Sequence, residues 1–129
     1  MSQIDMTFYG ATATVTGSKT LVVVAGKRLL VDAGLFQGFK VLRDRNWEPL
    51  PFDAASIDAV LLTHAHIDHS GALPLLIRQG FKGPIWTSSA SADLCEVLLM
   101  DTAHLQEEEA RFRNRHKATK HEPAEPLYS

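Results

Sequence analysis

Four potential metal ligands lie within six consecutive residues of this chain, directly after an apolar run at residues 57–62. They are His64, His66, Asp68 and His69. Neutral imidazole is the commonest zinc ligand, and a carboxylate completes mixed sites. Side chains two residues apart on an extended segment point to the same side, so His64 and His66 can chelate one ion. Asp68 and His69 follow where the chain turns towards a helix, and there they can face a second ion. The segment predicts a paired metal site at the end of a buried strand.

The alternative is a solvated loop, because clustered histidines are also typical of tags and His-rich tracts. This cluster lies in the middle of the chain, follows an apolar strand and includes an aspartate at fixed spacing. These features favour the metal-site interpretation. A paired site of this kind polarises a phosphoryl oxygen and supplies a hydroxide nucleophile at neutral pH.

The chain predicts strands first and then an alternation of helix and strand. Alternating or continuous apolar runs and β-branched residues predict strands at residues 6–10, 12–16, 21–25, 28–31, 57–62 and 84–87. Helical spacing predicts helices over residues 72–79, stopped by Gly80, and 91–114. We expect a hairpin with a primed turn at Gly26-Lys27, joining two strands that are buried on both faces. Residues 35–52 and 117–129 are expected to be irregular. The prediction is a mixed α/β fold with helices over at least one sheet face.

Asp32 is the second candidate functional residue. It closes the strand at residues 28–31 and is followed by Ala33-Gly34. An acid at the C-terminal end of a buried strand often marks the rim of a site, where it orients a ligand or a bound water. Ordinary turn chemistry is the alternative, because aspartate before glycine is common in loops.

The remaining candidates favour structural roles. His104 lies near the apolar stripe of the second helix and is expected to be packed or half-exposed, whereas His116 and His121 are expected to be solvated. Cys95 is predicted to lie in the core. One basic run predicts a solvated helix end, with phosphate contact as the alternative; its members are Arg111, Arg113, Arg115, Lys117 and Lys120.

Composition bounds these interpretations. The chain of 129 residues suits one modest domain. Its 13 Lys and Arg against 15 Asp and Glu exclude a nucleic-acid binder whose affinity rests on bulk positive charge. No stretch approaches the length of a membrane span, and the N-terminus lacks the pattern of a secretory signal. A single cysteine excludes an internal disulfide and makes a cytoplasmic location the expectation.

Residues 64–69 resemble the His-x-His-x-Asp-His signature of the metallo-β-lactamase superfamily, in which two β-sheets are sandwiched between helices. Asp32 resembles the acid of that superfamily's first motif. The flanking segments are similar to those of the bacterial branch of the β-CASP RNA-processing nucleases; they are residues 10–11, 15–18, 31–38, 61–63 and 70–74.

The resemblance implies specific roles. His64 and His66 would bind a first Zn²⁺, and Asp68 and His69 a second. Asp32 would hold a ligand or the metal-bound water by hydrogen bonding, and Gly17-Ser18 would lie near the rim of the site. In such enzymes a metal-bridging hydroxide attacks a phosphodiester of RNA. The implied activity is therefore that of a zinc-dependent hydrolase that cleaves RNA.

The chain also departs from the family. A further histidine ligand, a bridging aspartate, a late histidine, the β-CASP insert and the C-terminal part of the fold have no counterpart in residues 1–129. The chain is therefore expected to be an N-terminal portion that is inactive alone, binds zinc weakly, associates with the remainder of its own fold and self-associates. The alternatives are a non-catalytic metal-binding or interaction module, and a hydrolase of small thioesters or lactams.

Overall fold

A computed structural model of the chain describes residues 3–116 and 124–129. These residues form one five-stranded sheet whose spatial order follows the chain. Strands β1 to β3 are antiparallel, whereas β3, β4 and β5 run parallel. The strands are β1 (Ile4–Phe8), β2 (Thr20–Val24), β3 (Lys27–Val31), β4 (Ala59–Leu61) and β5 (Ile85–Trp86). This mixed sheet and its helices confirm the predicted α/β class.

The helices are α1 (Lys40–Arg43), α2 (Ile67–Ser70), α3 (Leu73–Arg78) and α4 (Ser89–His116), with 3-10 turns at Asp44–Trp47 and Ala54–Ser56. Helix α3 starts with a proline in its first turn and is followed by Gly80 at φ +115°, as its flanking residues predict. The two helices predicted at residues 72–79 and 91–114 are confirmed. None of the helices in the described residues is long and apolar enough to cross a membrane.

The hairpin between β2 and β3 turns one residue earlier than predicted. Ala25 and Gly26 occupy the turn, with φ of +50° and +75°, so that Val24 pairs with Lys27. Two consecutive residues in the left-handed region are the signature of a type I′ turn, whose twist matches that of the strands.

The strand predicted at residues 12–16 is wrong. Residues 10–17 form bends, in which Ala11 and Ala13 have φ near +55° and Gly17 has φ +73°. A strand requires negative φ throughout, so alternating threonines cannot extend here. The segment instead folds back on itself, and the Ala11 amide donates to the Thr16 carbonyl (3.1 Å). The predicted irregular stretch at residues 35–52 is also corrected, because it contains α1 and one 3-10 turn.

The core lies on one face of the sheet. Leu21, Leu30 and Val60 are in register on this face and are almost completely buried. The buried cluster also includes Leu73 and Leu76 of α3, together with Cys95 of α4. This burial of aliphatic side chains is the main force that holds the helices against the sheet.

The opposite face of the sheet remains exposed, which contradicts the prediction that β2 and β3 are buried on both faces. Most residues of these strands are only half-buried. The register places one row of exposed apolar side chains on this second face: Ile4, Met6, Phe8, Leu61 and Trp86. A continuous apolar run can therefore predict a strand even where only one face of that strand is covered by other elements.

Residues 124–129 have no helix or strand, as predicted, yet they pack firmly. Leu127 and Tyr128 are buried in the core. The Tyr128 hydroxyl donates to the Gly71 carbonyl (2.5 Å), and the Leu127 amide donates to Gln106 Oε1 (3.0 Å). Burial raises the pKa of Tyr128 to about 12, so the hydroxyl keeps its proton as a donor.

Candidate metal centre

The site is built where two parallel strands end side by side. Val31 of β3 pairs with Leu61 of β4, so the residues that follow each strand emerge at the same edge of the sheet. The Asp32 amide donates to the Leu61 carbonyl (2.9 Å), and the Thr63 amide donates to Asp32 Oδ1 (2.8 Å). The Asp32 carboxylate therefore links the ends of the two strands.

Asp32 is a buried hydrogen-bond acceptor rather than a solvated turn residue. It is 3% exposed and has φ +63°, a conformation that costs a non-glycine residue about 1 kcal/mol. Its Oδ2 accepts from the Thr63 hydroxyl (2.8 Å) and lies 2.7 Å from His69 Nδ1. These contacts favour the interpretation that Asp32 orients a ligand over that of ordinary turn chemistry.

The same hydrogen bonds select the tautomers of two histidines. Because a carboxylate only accepts, His69 carries its proton on Nδ1 and leaves the Nε2 lone pair free. The Thr63 hydroxyl gives its single proton to Asp32, so it must accept from His64 Nδ1, which lies 2.9 Å away. His64 Nε2 is therefore also free to bind a metal ion.

The structure places the three histidine rings close to one another and Asp68 beside His69. The ring centroid of His64 lies 4.7 Å from that of His66 and 4.1 Å from that of His69. His69 Nε2 lies 3.7 Å from Asp68 Oδ2. The partition of the ligands between two ions stays a prediction, and the ring of His64 lies closer to that of His69 than to that of His66.

The donor set fits zinc in its chemistry, because it offers three imidazoles, two of them in a selected tautomer, and one carboxylate. Within residues 3–116 and 124–129, however, no three His, Cys, Asp or Glu side chains are arranged to hold an ion. A catalytic zinc site normally has three protein ligands. The described residues thus place these donors near one another without forming a closed metal site.

At Gly34, the segment after β3 lies too close to the backbone of the ligand loop for a side chain to fit. A Cβ added to Gly34 would lie 1.6 Å from the Asp68 carbonyl oxygen. The Ser18 amide donates to that same carbonyl (3.0 Å), and the Ala33 amide donates to the carbonyl of His69 (2.8 Å). The Gly17–Ser18 turn therefore lies against the ligand loop, as expected, and the segment after β3 holds helix α2 in place.

The other candidates lie away from this cluster. The side chain of His104 is 62% exposed beside Glu108, which is more solvated than predicted. His116 is exposed and stacks on Phe112, whereas His121 lies outside the described residues. Cys95 is buried as predicted, and burial raises the pKa of its thiol, which opposes a nucleophilic role.

The basic run at the end of α4 behaves as a solvated helix end in its described part. Arg111 and Arg113 pair with Glu107 and Glu109, one helical turn earlier. Lys117 and Lys120 lie outside the described residues.

Two polar residues in contact with the site loops were missed by sequence reasoning. Thr63 relays the Asp32 hydrogen bond to His64, and the only signal was its position directly before the first histidine. Lys19 is buried and donates to the Gly34 carbonyl (2.7 Å). A lysine before an apolar strand gives no signal of burial, because the contact depends on a segment 15 residues away.

Comparison with known proteins identifies relatives that include a ribonuclease and a transcription termination factor. The chain is 45% identical over 100 residues to Ribonuclease TTHA0252 of Thermus thermophilus, an alignment that covers 78% of this chain and 23% of that protein. It is 35% identical over 103 residues to Transcription termination factor FttA of Methanosarcina mazei, covering 76% and 16%. It is 32% identical over 108 residues to Integrator complex subunit 11 of Danio rerio, covering 78% and 18%. The chain thus spans less than a quarter of each relative.

A solved metallo-β-lactamase of Cronobacter sakazakii with a HARLDQ motif aligns with a TM-score of 0.47 and 26% identity, over 75% of this chain and 31% of that one. The family model described as the metallo-beta-lactamase superfamily matches residues 14–123, which include Asp32 and the complete signature at residues 64–69. The chain therefore belongs to the metallo-β-lactamase superfamily.

Proposed function

We propose that residues 1–129 are the N-terminal portion of a zinc-dependent hydrolase of the β-CASP branch that cleaves RNA. The observation that carries the proposal is the cluster of His64, His66 and His69, in which His69 is bonded to the buried Asp32 carboxylate. The 45% identity to a ribonuclease supports RNA as the substrate, in preference to a small thioester or lactam.

The chain's own residues hold and orient the metal ligands. Asp32 and Thr63 hold the Nδ1 atoms of His69 and His64, which leaves the Nε2 atom of each ring available to a metal ion. His66 lies beside His64, and Asp68 lies beside His69. Zinc ions, when bound there, would act as Lewis acids on a phosphodiester and neutralise its developing charge. Ligands from outside residues 1–129 would complete the coordination, because two protein ligands for each ion are too few.

The protein encoded by the complete reading frame tests this proposal directly. We expect that protein to cleave RNA in the presence of zinc and to lose activity after treatment with a chelator, with activity restored by added zinc. Parallel assays with single-stranded DNA, a thioester and a β-lactam define the substrate class. Hydrolysis of a thioester or lactam without RNA cleavage would replace the proposal with the small-substrate alternative.

The isolated chain of 129 residues is expected to bind zinc weakly, with partial occupancy. Its described donors do not form a three-ligand group, and each missing ligand removes a large part of the affinity of a zinc site. Equilibrium dialysis measures the dissociation constant, with His64→Ala as the test variant and the exposed His104→Ala as its matched control. Micromolar or tighter binding that depends on His64 would instead favour a self-sufficient metal-binding module.

Self-association of the isolated chain is a second expected property. The exposed second face carries apolar side chains on β1, β4 and β5, and an apolar face of this kind is typical of an interaction surface. Light scattering after size exclusion should show dimers or larger species. Met6→Lys on this face should reduce them, whereas Thr7→Lys on the opposite face of β1 should not. A clean monomer at moderate concentration would contradict the expectation.

A cytoplasmic location of the protein also stays a prediction.

A further inference from the structure

Lys19 is a buried cation whose contacts inside the chain are few. It is 7% exposed, and its Nζ donates one hydrogen bond, to the Gly34 carbonyl (2.7 Å). An ammonium group has three donors. No ion pair involves Lys19 in the part of the chain that the structure describes. The charge is therefore held in the interior by a neutral carbonyl.

A second cation lies beside the first. Lys19 Nζ is 4.9 Å from the ring centroid of Phe36, and the Arg45 guanidinium carbon is 4.2 Å from the same centroid. Phe36 is itself fixed, because Asn46 bonds both its amide (2.7 Å) and its carbonyl (2.8 Å). Burial, and then the charge of Arg45, lower the pKa of Lys19 to about 8. Both cations thus share one aromatic ring and repel each other.

The two cations line a common cavity. Its volume is about 280 Å³, and its wall includes Lys19, Arg45 and the aromatic rings of Phe8, Tyr9 and Phe36. One carboxylate, that of the exposed Glu48, also lines the cavity. The space is larger than the roughly 30 Å³ share of a water molecule. It can therefore hold a polyatomic ligand.

Placing the charge of Arg45 beside the buried charge of Lys19 is unfavourable unless a ligand of opposite charge binds between them. A buried lysine without a carboxylate partner costs stability, and residues of this kind concentrate at functional sites. Phosphate oxygens accept hydrogen bonds from both ammonium and guanidinium groups, and such charge-assisted bonds are strong. An aromatic wall beside these donors also suits a nucleotide.

We propose that this cavity is a second, metal-independent site that binds a phosphate group through Lys19 and Arg45. Lys19 connects the cavity wall to the ligand loop, because its ammonium group is bonded to Gly34 and Gly34 abuts Asp68. The phosphate can come from free orthophosphate or from the backbone of an RNA.

The test is titration of the metal-free chain with inorganic phosphate, followed by calorimetry and by ³¹P NMR. We expect saturable binding with a dissociation constant of about 1 mM or tighter. Arg45→Gln should weaken binding about tenfold, and Lys19→Met by at least as much, because each removes one charge-assisted bond. Glu48→Gln should tighten binding, since it removes the opposing carboxylate.

Arg43→Gln is the matched control, because Arg43 is an exposed arginine two residues from Arg45 that does not line the cavity. Circular dichroism establishes that each variant folds; Arg45 is exposed, so its variant keeps the test decisive if Lys19→Met unfolds. Absence of saturable binding to the metal-free chain, or an equal loss in Arg43→Gln, would overturn the proposal. Because zinc is absent, this result is independent of the metal centre.

A short oligoribonucleotide distinguishes the two sources of phosphate. Displacement of bound phosphate by the oligonucleotide, lost in Arg45→Gln, assigns the cavity to the RNA backbone. Phosphate binding that persists in excess oligonucleotide assigns it to free orthophosphate.

Discussion

Asp68→Asn should lower RNA cleavage by the complete protein at least about 100-fold while leaving its fold unchanged. Asparagine keeps the shape of the side chain but removes the negative charge that a zinc ligand supplies. The backbone of residue 68 is held independently of its side chain, since its carbonyl accepts from the Ser18 amide (3.0 Å). The loss should therefore appear in zinc content and in kcat, and not in the melting temperature of the metal-free protein.

Asp101→Asn is the matched control, because Asp101 is an exposed aspartate on α4. It should leave both activity and zinc content unchanged. Near-normal turnover in Asp68→Asn would show that Asp68 is not a metal ligand, even if the histidines of the cluster are.

Asp32→Ala should reduce both stability and zinc affinity. The carboxylate is buried and accepts from the Thr63 amide, the Thr63 hydroxyl and His69. Removing it leaves these donors without an acceptor in the interior, which should cost about 3 to 5 kcal/mol of unfolding free energy. Chemical denaturation of the metal-free chain measures this cost without interference from zinc binding.

Asp32→Asn separates the two effects. Its amide oxygen can still accept from Thr63, so the loss of stability should be smaller than in Asp32→Ala. Its amide nitrogen would face His69 Nδ1 and favour the other tautomer, with the proton on Nε2. Zinc affinity should fall about 10- to 100-fold, and ¹⁵N NMR of the imidazoles should report the tautomer change.

Thr63→Val tests the relay to His64 in the same way, because it removes the hydroxyl but keeps the backbone amide that Asp32 binds. It should change the tautomer of His64 and leave that of His69 unchanged.

Asp58→Asn is the matched control for Asp32→Asn, because Asp58 accepts a hydrogen bond from the Arg28 amide (2.8 Å) at the far end of β3 and β4. If Asp58→Asn weakened zinc binding as much as Asp32→Asn, the orienting role of Asp32 would be wrong.

Local patterns predicted most helices and strands because each depends on neighbours in the chain. Gly80 ends α3, and the apolar spacing of residues 91–114 marks α4, whatever lies elsewhere. The alternation of Thr12, Thr14 and Thr16 failed, because Ala11 and Ala13 adopt positive φ and the segment folds back on itself. Its end is bonded to the loop after β3, through Thr16 and Gly17. β-propensity describes a fit to a pleated surface, and these residues have no such surface.

The face of the sheet that is buried could not be predicted from the apolar runs. Leu30 and Leu29 are equally apolar, yet only Leu30 is completely buried, because the helices cover its side of the sheet. Which side a helix covers depends on the path of the chain between strands and not on the composition of the strand itself.

The sequence by itself determined the identity of the candidate ligands, because His64, His66, Asp68 and His69 lie within a single strand-to-helix turn and their spacing places them together. Only the tertiary structure decided how those ligands are oriented. Asp32 is 37 residues from His69, and the parallel pairing of β3 with β4 places its carboxylate between Thr63 and His69. The burial of Lys19 and its hydrogen bond to Gly34 also depend on the tertiary structure. The pairing of strands distant in sequence determines which polar atoms come into contact, and the spacing of residues within one segment carries no information about such contacts.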